Sequence, residues 1–396
     1  MRTLLLTLLI STSAFAADLT GTVVDPAGKP VRGAHVYVYA AFPKLGLSSV
    51  CPNCYRDCGK HEPVDKKGAF RVKSVDETLY FDVLAVADGY EPAFARRADP
   101  NGAPSRITLT RRTTDDADRL ITGIVLDPKG KPVIGAAVEP SGYHLGSSTG
   151  YGNLPGLDKV SITNAKGEFA LRMPDATGKL DVRATARALA PQIERMLVPG
   201  ERRTIHLIEG TAITGHIERD GQPVAGARVV FMQRDRRSAN YLGRTEIATN
   251  GSGFFMMTSL GPNEEYVVFT PDLAADPKLV KTGADGTSAD AGTLKVGAGR
   301  RVAGKVEVPA GQPMPTLVLT GDYTATSHTI TPSADGTFAF EAVPAEPSQL
   351  TARYAGPPLA SASTPSGALT LSRRPNTATL PGEGDLTEVR LVFGTR

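Results

Sequence analysis

The chain has 396 residues, of which 41 are glycine and 30 are proline, and it contains no tryptophan. This share of turn-forming residues exceeds the roughly 12% of an average protein but stays below the level of low-complexity disorder, so the sequence indicates a folded, turn-rich chain. The 44 basic and 41 acidic residues nearly balance, which excludes the strongly basic surface of a general nucleic-acid-binding protein. The length predicts several domains of roughly 100–150 residues each.

The N-terminus predicts export. Residues 1–16 combine Arg2, an apolar stretch at 4–10 and the small-x-small sequence AFA at 14–16, which is the layout of a secretory signal peptide. The apolar stretch is too short to span a bilayer, which takes about 20 residues. We therefore expect a mature chain that is not membrane-spanning and is periplasmic or secreted, including at the cell surface.

One short segment recurs four times after the signal peptide. It reads GTVVDPAGKPVRGAHVYV from Gly21, GIVLDPKGKPVIGAAV from Gly123, GHIERDGQPVAGARVVF from Gly215 and, more faintly, GKVEVPAGQPMPTLVL from Gly304. The copies begin about 90–100 residues apart, a spacing that suits a small β domain. A second motif, (D/N)-x-x-G-x-F, follows the first three copies, and in the fourth a serine replaces the Asp or Asn; its phenylalanines are Phe70, Phe169, Phe255 and Phe338.

The residues of both motifs are those that tight turns between strands require. In the first copy Asp25 offers a side chain that caps a turn, and Gly28 can adopt a positive φ. In the second copy Asn164 and Gly167 predict a further turn, after which Phe169 is directed into the core. Apolar and polar residues alternate beside these turns, which predicts half-buried strands. Helix should be minor, with at most a turn or two near residues 272–280.

The two motifs together resemble the carboxypeptidase regulatory-like domain family, whose fold is a transthyretin-like seven-stranded sandwich. The resemblance implies a non-catalytic module of exported proteins. We therefore expect an all-β fold with little helix, a tandem array of four transthyretin-like, Greek-key β-sandwich domains. Residues 355–370 are rich in Pro, Ser and Thr, and either a disordered loop or two edge strands would fit them. The expected domains are 17–112, 118–210, 211–299 and a divergent fourth at 300–396.

All three cysteines lie in an insertion of the first domain, which reads CPNCYRDCGKH from Cys51 to His61. In an exported protein a structural disulfide between two of the cysteines is the favoured interpretation. The alternative is a metal site in which Cys51, Cys54, Cys58 and His61 hold zinc or copper. A redox role for the Cys-x-x-Cys pair is less favoured, because no βαβ pattern accompanies it.

Two groups of aromatic residues are candidates for ligand binding. Tyr37 and Tyr39 share one face of a predicted strand, where cross-strand packing is the alternative role. Tyr143, His144 and Tyr151 lie in the glycine-rich segment GYHLGSSTGYGNLPG, which we expect to be a long flexible loop. The absence of tryptophan counts against sugar binding, since stacking on sugar rings favours large flat aromatic groups.

These observations predict a protein that is not an enzyme. The sequence holds no paired carboxylates or nucleotide-binding loop, and no cofactor is expected apart from zinc or copper at the insertion. We expect an exported scaffold or binding protein whose partner is a cell-envelope protein or polysaccharide, with no nucleic acid. The alternatives are a carbohydrate-binding protein and a metal-binding protein.

Overall fold

The computed structural model describes five stretches of the chain: 16–48, 60–112, 117–151, 154–186 and 188–394. Most of the predicted signal peptide and all three cysteines lie outside them. The fold is all-β, as the sequence predicts, and the helical element within these stretches is the 3-10 turn Ala117–Arg119. Among the same residues, no helix has the length and apolar character needed to cross a membrane.

Within the described residues, the first sandwich has seven strands: β1 (Ala16–Val24), β2 (His35–Pro43), β3 (His61–Pro63), β4 (Ala69–Asp76), β5 (Leu79–Val86), β6 (Ala93–Ala98) and β7 (Ser105–Thr108). They form two sheets, β4-β1-β7 and β3-β2-β5-β6. Strand β1 runs antiparallel to β4 and parallel to β7. The chain thus returns to its first strand at the end of the domain, which closes the sandwich.

The second sandwich repeats this plan with strands β8 (Leu120–Leu126), β9 (Ala137–Leu145), β10 (Ser148–Gly150), β11 (Ser161–Ile162), β12 (Glu168–Arg172), β13 (Lys179–Thr185), β14 (Gln192–Leu197) and β15 (Arg202–His206). Its sheets are β12-β8-β15 and β10-β9-β13-β14, with β11 paired to β9. Strand β15 again runs parallel to the first strand of its domain, β8.

The third sandwich comprises β16 (Thr211–Arg219), β17 (Gln222–Pro223), β18 (Arg228–Gln233), β19 (Arg244–Ala248), β20 (Phe254–Leu260), β21 (Glu265–Phe269), β22 (Lys278–Lys281) and β23 (Ser288–Val296). One sheet is β17-β16-β20 with β23 paired to β16, and the other is β19-β18-β21-β22. The pairing of β16 with β23 is parallel, as in the first two domains.

The fourth sandwich comprises β24 (Arg300–Glu307), β25 (Thr316–Gly321), β26 (Ser327–Ile330), β27 (Thr337–Val343), β28 (Ser348–Arg353), β29 (Leu359–Thr364), β30 (Gly367–Ala368), β31 (Thr377–Leu380) and β32 (Leu386–Phe393). Its sheets are β27-β24-β32-β29-β30 and β26-β25-β28-β31. The added strands β29 and β30 extend the sheet that has three strands in the first domain, which makes this sandwich the divergent one.

Each sandwich encloses its own apolar core, and the chain divides into two compact units. The four cores are built from residues within 19–109, 121–207, 213–296 and 302–393. The first compact unit ends at Leu207 and contains the first two sandwiches, whereas Ile208 begins the part of the second unit that contains the third and fourth. The domain boundaries taken from the sequence stay predictions.

A glycine and a phenylalanine explain why the two sequence motifs recur together. The first glycine of each copy lies directly opposite the phenylalanine of the second motif on the neighbouring strand; the pairs are Gly21–Phe70, Gly123–Phe169, Gly215–Phe255 and Gly304–Phe338. At Gly123 a Cβ atom would be 2.5 Å from the Phe169 ring and 2.3 Å from the carbonyl oxygen of Arg203. Only glycine leaves room for the ring and for the parallel strand at this position.

The predicted turns are present. The carboxylate of Asp25 accepts hydrogen bonds from the backbone N–H groups of Ala27 and Lys29, at 2.9 and 2.8 Å. In the second motif the Asn164 side chain likewise accepts from the N–H groups of Lys166 and Glu168, at 2.9 and 3.0 Å. These bonds satisfy backbone donors that the sheet leaves unpaired at its ends.

Three local expectations are corrected or decided by the structure. The glycine-rich segment expected to be a flexible loop is mostly the hairpin β9–β10, because Tyr143 and Leu145 pack against the core of the second sandwich. No helix forms near residues 272–280; Val280 is buried from strand β22. The Pro/Ser/Thr-rich stretch forms β29 and β30 because Leu359 and Ala362 enter the fourth core.

Candidate functional site

The predictions on the cysteine-rich insertion lie largely outside the described residues, since Cys51, Cys54 and Cys58 fall there. His61 is the first residue of β3, and its exposed ring stacks on Tyr37 with ring centroids 5.5 Å apart and planes 18° apart. In the part of the chain that the structure describes, no group of three or more His, Cys, Asp or Glu side chains is placed to hold a metal ion. The zinc or copper site and the disulfide stay predictions.

Tyr37 and Tyr39 face the second sandwich from the outer side of β2. They pack, half-buried, in an apolar cluster that includes Ala137 and Val160 of the second sandwich. The Tyr39 ring also meets the edge of the Phe94 ring at a centroid distance of 4.9 Å. Both tyrosines therefore help to join the first two sandwiches, and Tyr39 in addition lines the cleft described below.

Tyr143, His144 and Tyr151 lie on the β9–β10 hairpin but do not form one surface. Tyr143 points toward the core and pairs with Gly150. Tyr151 follows β10 and is 79% exposed. The structure separates an inward tyrosine from an outward one, so the three residues do not make a common aromatic platform. Their role in ligand binding stays a prediction.

His144 instead takes part in a contact that the sequence did not indicate. Its Nε2 lies 3.3 Å from Asp181 Oδ1, and its Nδ1 lies 3.4 Å from the Thr149 hydroxyl. Hydroxyl, imidazole and carboxylate in this order are the components of nucleophilic catalysis, but both contacts are longer than the hydrogen bonds that such a relay uses. The Asp181 oxygen also accepts a 2.8 Å bond from the backbone N–H of Met196. The role of Asp181 in this structure is therefore to hold the backbone at Met196.

The same backbone support occurs in the first sandwich. Asp82 accepts a 2.9 Å hydrogen bond from the N–H of Arg97 and a 2.6 Å bond from the Arg96 guanidinium. Arg97 and Met196 both have positive φ, 52° and 61°. Each aspartate thus stabilises a strained irregularity in an edge strand, and both carboxylates are buried.

A cleft of about 550 Å³ opens between the first two sandwiches, within the first compact unit. Ligand sites in proteins commonly have 300–1,000 Å³. Strands β2 and β6 of the first sandwich supply one wall, and β9 with the segment after residue 153 supplies the other. Its chemically distinctive lining residues are Tyr39, Phe94, Arg96, Glu139, Asp158 and Lys159.

Glu139 is the most perturbed acid of this cleft. Burial raises the pKa of Glu139 to about 7, against the opposing effect of the Arg183 charge. Arg183 lies directly across from it on β13, and the Tyr39 hydroxyl of the first sandwich donates a hydrogen bond to its carboxylate. Burial therefore favours the protonated form of this carboxyl up to a higher pH than in water.

Asp158 forms the second link between the two sandwiches. Its carboxylate accepts 2.9 Å bonds from the Arg112 guanidinium and from the backbone N–H of Arg172. Burial raises the pKa of Asp158, although Arg112 and the Arg172 N–H act in the opposite direction. Arg112 also donates to the carbonyl oxygen of Tyr90 at 3.0 Å. The Arg112–Asp158 pair is therefore held in place by backbone hydrogen bonds on both sides of the cleft.

Sequence reasoning missed Glu139, Asp158 and Arg112. Glu139 and Tyr39 are one hundred residues apart, and no local pattern predicts which faces of two sandwiches meet. The one available signal was the charged Glu139 immediately after the apolar residues 136–138. A charge that continues a buried strand marks either a strand end or a polar contact at an interface.

The second compact unit contains a smaller cavity of about 210 Å³, lined by residues that include Phe269, Thr324, His328 and Pro344. An apolar cluster beside it joins Phe269 of the third sandwich to Tyr323 of the fourth. The buried Glu346 carboxylate is hydrogen-bonded within the protein, because it accepts bonds from the N–H groups of Tyr323 and Thr324 and from the Thr324 hydroxyl. We assign no ligand to this cavity.

Comparison with known proteins gives only remote structural similarity. No family model matches the chain, and no curated protein is significantly similar to it. Among solved structures, the Bacillus anthracis TIE protein is 9% identical, with 98% of this chain and 75% of that chain covered and a TM-score of 0.19. A streptococcal ancillary pilin is also 9% identical, with 70% and 100% covered and a TM-score of 0.24.

The minor pilin GBS52 of Streptococcus agalactiae is 10% identical, with 47% of this chain and 97% of that chain covered and a TM-score of 0.24. Similarities at this level assign no function to the chain. The resemblance to the carboxypeptidase regulatory-like domain likewise rests on the two sequence motifs alone.

Proposed function

We propose that the protein is an exported, non-catalytic scaffold whose four sandwiches present binding surfaces in the periplasm or at the cell surface. The observation that carries the proposal is the glycine–phenylalanine pair, which the chain repeats in every sandwich. What recurs along the chain is therefore the means of building a sandwich. The export part of the proposal rests on the signal-peptide layout of residues 1–16.

The charged groups of the first compact unit favour the same function. Asp82 and Asp181 hold backbone N–H groups at strand irregularities, and Asp158 is paired with Arg112. Carboxylates whose oxygen atoms accept hydrogen bonds from the protein itself stabilise the fold. A catalytic acid or base needs a side chain within reach of a substrate proton.

The finer alternatives remain proposals of lower rank. A carbohydrate-binding protein would use exposed aromatic residues, of which Tyr151 is the most exposed among the candidates. A metal-binding protein would use the segment from Cys51 to His61. Membership in the carboxypeptidase regulatory-like family would fit the scaffold and either alternative.

Sedimentation of the mature chain, residues 17–396, with isolated cell envelopes of the organism that encodes it tests the proposal. We expect saturable binding that unlabelled protein displaces, and no soluble envelope fragments released over time. Binding no stronger than that of an unrelated exported β-sandwich protein would overturn the scaffold function. Continuous release of fragments would overturn the non-catalytic part.

A further inference from the structure

The cleft between the first two sandwiches has features that the scaffold function does not use. Its walls combine the aromatic rings of Tyr39 and Phe94 with prolines at 92, 140 and 155. Proline fixes the backbone, so these wall segments lose little freedom when a ligand binds. The cleft is thus a concave site whose mixed lining includes apolar rings on segments with little backbone freedom.

Among the described residues, three acidic side chains line the cleft. Two of them are engaged by other groups of the protein. Asp158 accepts bonds from Arg112 and from the Arg172 backbone. Glu139 accepts a bond from Tyr39 and is largely buried. Glu91 is the third acid of the lining, and it is close enough to raise the pKa of Asp158.

Two cationic side chains of the cleft lining, Lys159 and Arg96, are exposed. Lys159 is exposed, and within the described stretches no ion pair or hydrogen bond engages its ammonium group. The Arg96 guanidinium lies over the Phe94 ring at 3.8 Å from the ring centroid. One of its terminal nitrogens bonds Asp82 at 2.6 Å, and the side chain is 57% exposed, which leaves donors facing outward. Both residues also line the adjoining groove of about 370 Å³.

We propose that this cleft binds a small ligand that carries one carboxylate on an apolar body, with the carboxylate held by Lys159 and Arg96 and the body against Phe94. A planar guanidinium matches the geometry of a carboxylate, and its stacking on an aromatic ring preorganises it. Because Glu91 offsets part of the positive charge, a single negative charge is favoured over a phosphate dianion. The inference rests on the proposed binding role and adds a ligand class to it.

A carboxylate of this kind has two common extracellular sources, the C-terminus of a short peptide and a hexuronic acid. Calorimetric titration of the mature chain with an N-acetyl dipeptide acid, and separately with methyl galacturonide, which carries one carboxylate on a sugar ring, distinguishes them. The matched neutral ligands are the dipeptide amide and the methyl ester of the galacturonide. Inorganic phosphate is the fifth probe.

Binding of either acid, with a loss of at least about tenfold for its neutral partner, is the expected result. Lys159→Gln should weaken that binding about tenfold, since it removes one charge-assisted hydrogen bond. Lys131→Gln is the matched control, because Lys131 is an exposed lysine of the same sandwich in the turn after β8. It should leave the affinity unchanged.

Three results would overturn the inference: no binding of either acid at millimolar concentration, equal binding of acid and neutral partner, or tighter binding of phosphate. Envelope sedimentation with the wild-type protein separates this failure from failure of the scaffold function. If the ligand proposal alone is wrong, wild-type protein still binds envelopes but shows no carboxylate binding in the calorimetric titrations. If the scaffold function is wrong, wild-type protein does not bind envelopes whatever the titrations show.

Discussion

Gly215 in β16 offers a direct test of the glycine–phenylalanine pair. It lies opposite Phe255 of β20, and an added Cβ atom would be 2.5 Å from the Phe255 ring and 2.8 Å from the carbonyl oxygen of Gly292. The Phe255 ring is buried against Phe231, with centroids 5.8 Å apart, so it has little room to move. We predict that Gly215→Ala destabilises the third sandwich.

Two effects of opposite sign set the size of this loss. Alanine in a strand is favoured over glycine by about 0.5–1 kcal/mol, because glycine loses more backbone entropy on folding. Over-packing a close-packed core costs about 1–3 kcal/mol, and the upper part of the range applies here because one of the crowded atoms is a backbone oxygen. The net expected loss for Gly215→Ala is about 2 kcal/mol.

Gly251 provides the matched control in the same sandwich. It has no positive φ, and nothing lies within 4 Å of an added Cβ atom. Gly251→Ala should therefore stabilise the sandwich, by about 0.4–1 kcal/mol, through the entropy of the unfolded chain alone. The two Gly→Ala substitutions are thus expected to have opposite signs.

Hydrogen exchange of peptides from residues 211–299, followed in increasing urea on the whole mature chain, measures the opening free energy of this sandwich by itself. Phe255→Ala alone should cost about 3–5 kcal/mol. The double variant with Gly215→Ala should lose at least about 1 kcal/mol less than the sum of the single losses. Strict additivity, or a neutral Gly215→Ala, would refute the pair as the reason for the recurrent glycine.

Two further predictions concern the acids between the first two sandwiches. Because burial raises the pKa of Glu139 from 4.5 to about 7, the folded chain holds this proton more tightly than the unfolded chain. This tighter proton binding contributes on the order of 2–3 kcal/mol to the free energy of unfolding below pH 4.5, and the contribution should be lost as the pH rises to 7. Glu139→Gln should abolish this decline when the free energy of unfolding is measured in urea at each pH. Curves of unfolding free energy against pH that run parallel for wild type and variant would contradict the prediction. Arg112→Gln removes the partner of buried Asp158 and should cost about 3 kcal/mol at pH 7. The loss should shrink as the pH is lowered, because burial raises the pKa of Asp158 and the variant lacks the Arg112 charge that opposes this effect. A loss that does not change with pH would argue against the pair.

The turns and the inward phenylalanines could be predicted because their signals are local. The turn contacts of Asp25, Asn164 and Gly167 involve residues no more than five positions away in the sequence. The alternation of apolar and polar residues that buries Phe169 is visible in a single strand. The copies along the chain strengthened each weak signal, since the same turn residues recur at matched positions. The all-β fold followed from these short-range features.

The β9–β10 hairpin was predicted wrongly because its glycines outweighed two packing residues. Tyr143 and Leu145 alternate with His144, as in a half-buried strand, but five glycines within residues 142–156 favoured a loop. Gly150 is required for the opposite reason: a Cβ atom there would lie 2.4 Å from the Tyr143 ring. Composition alone does not distinguish a glycine that leaves room for an aromatic ring of the neighbouring strand from a glycine in a loop.

The cleft could not be predicted because it depends on how two sandwiches meet. Tyr39 and Glu139 belong to different domains, and Arg112 and Asp158 likewise come from opposite sides of a domain boundary. Sequence periodicity shows which face of a strand is apolar, but it does not show which outer face is covered by a neighbouring domain. Tyr39 was therefore recognised as a candidate without its partner.

A binding isotherm of the mature chain on envelopes from its own organism is the most direct test of the scaffold function, with the supernatant followed for released fragments. We expect that binding saturates, that unlabelled protein displaces the bound protein, and that the supernatant does not change after equilibrium is reached. Linear, non-displaceable uptake equal to that of an unrelated β-sandwich protein would contradict a binding scaffold. Fragments that accumulate in proportion to time would show turnover and contradict the non-catalytic role.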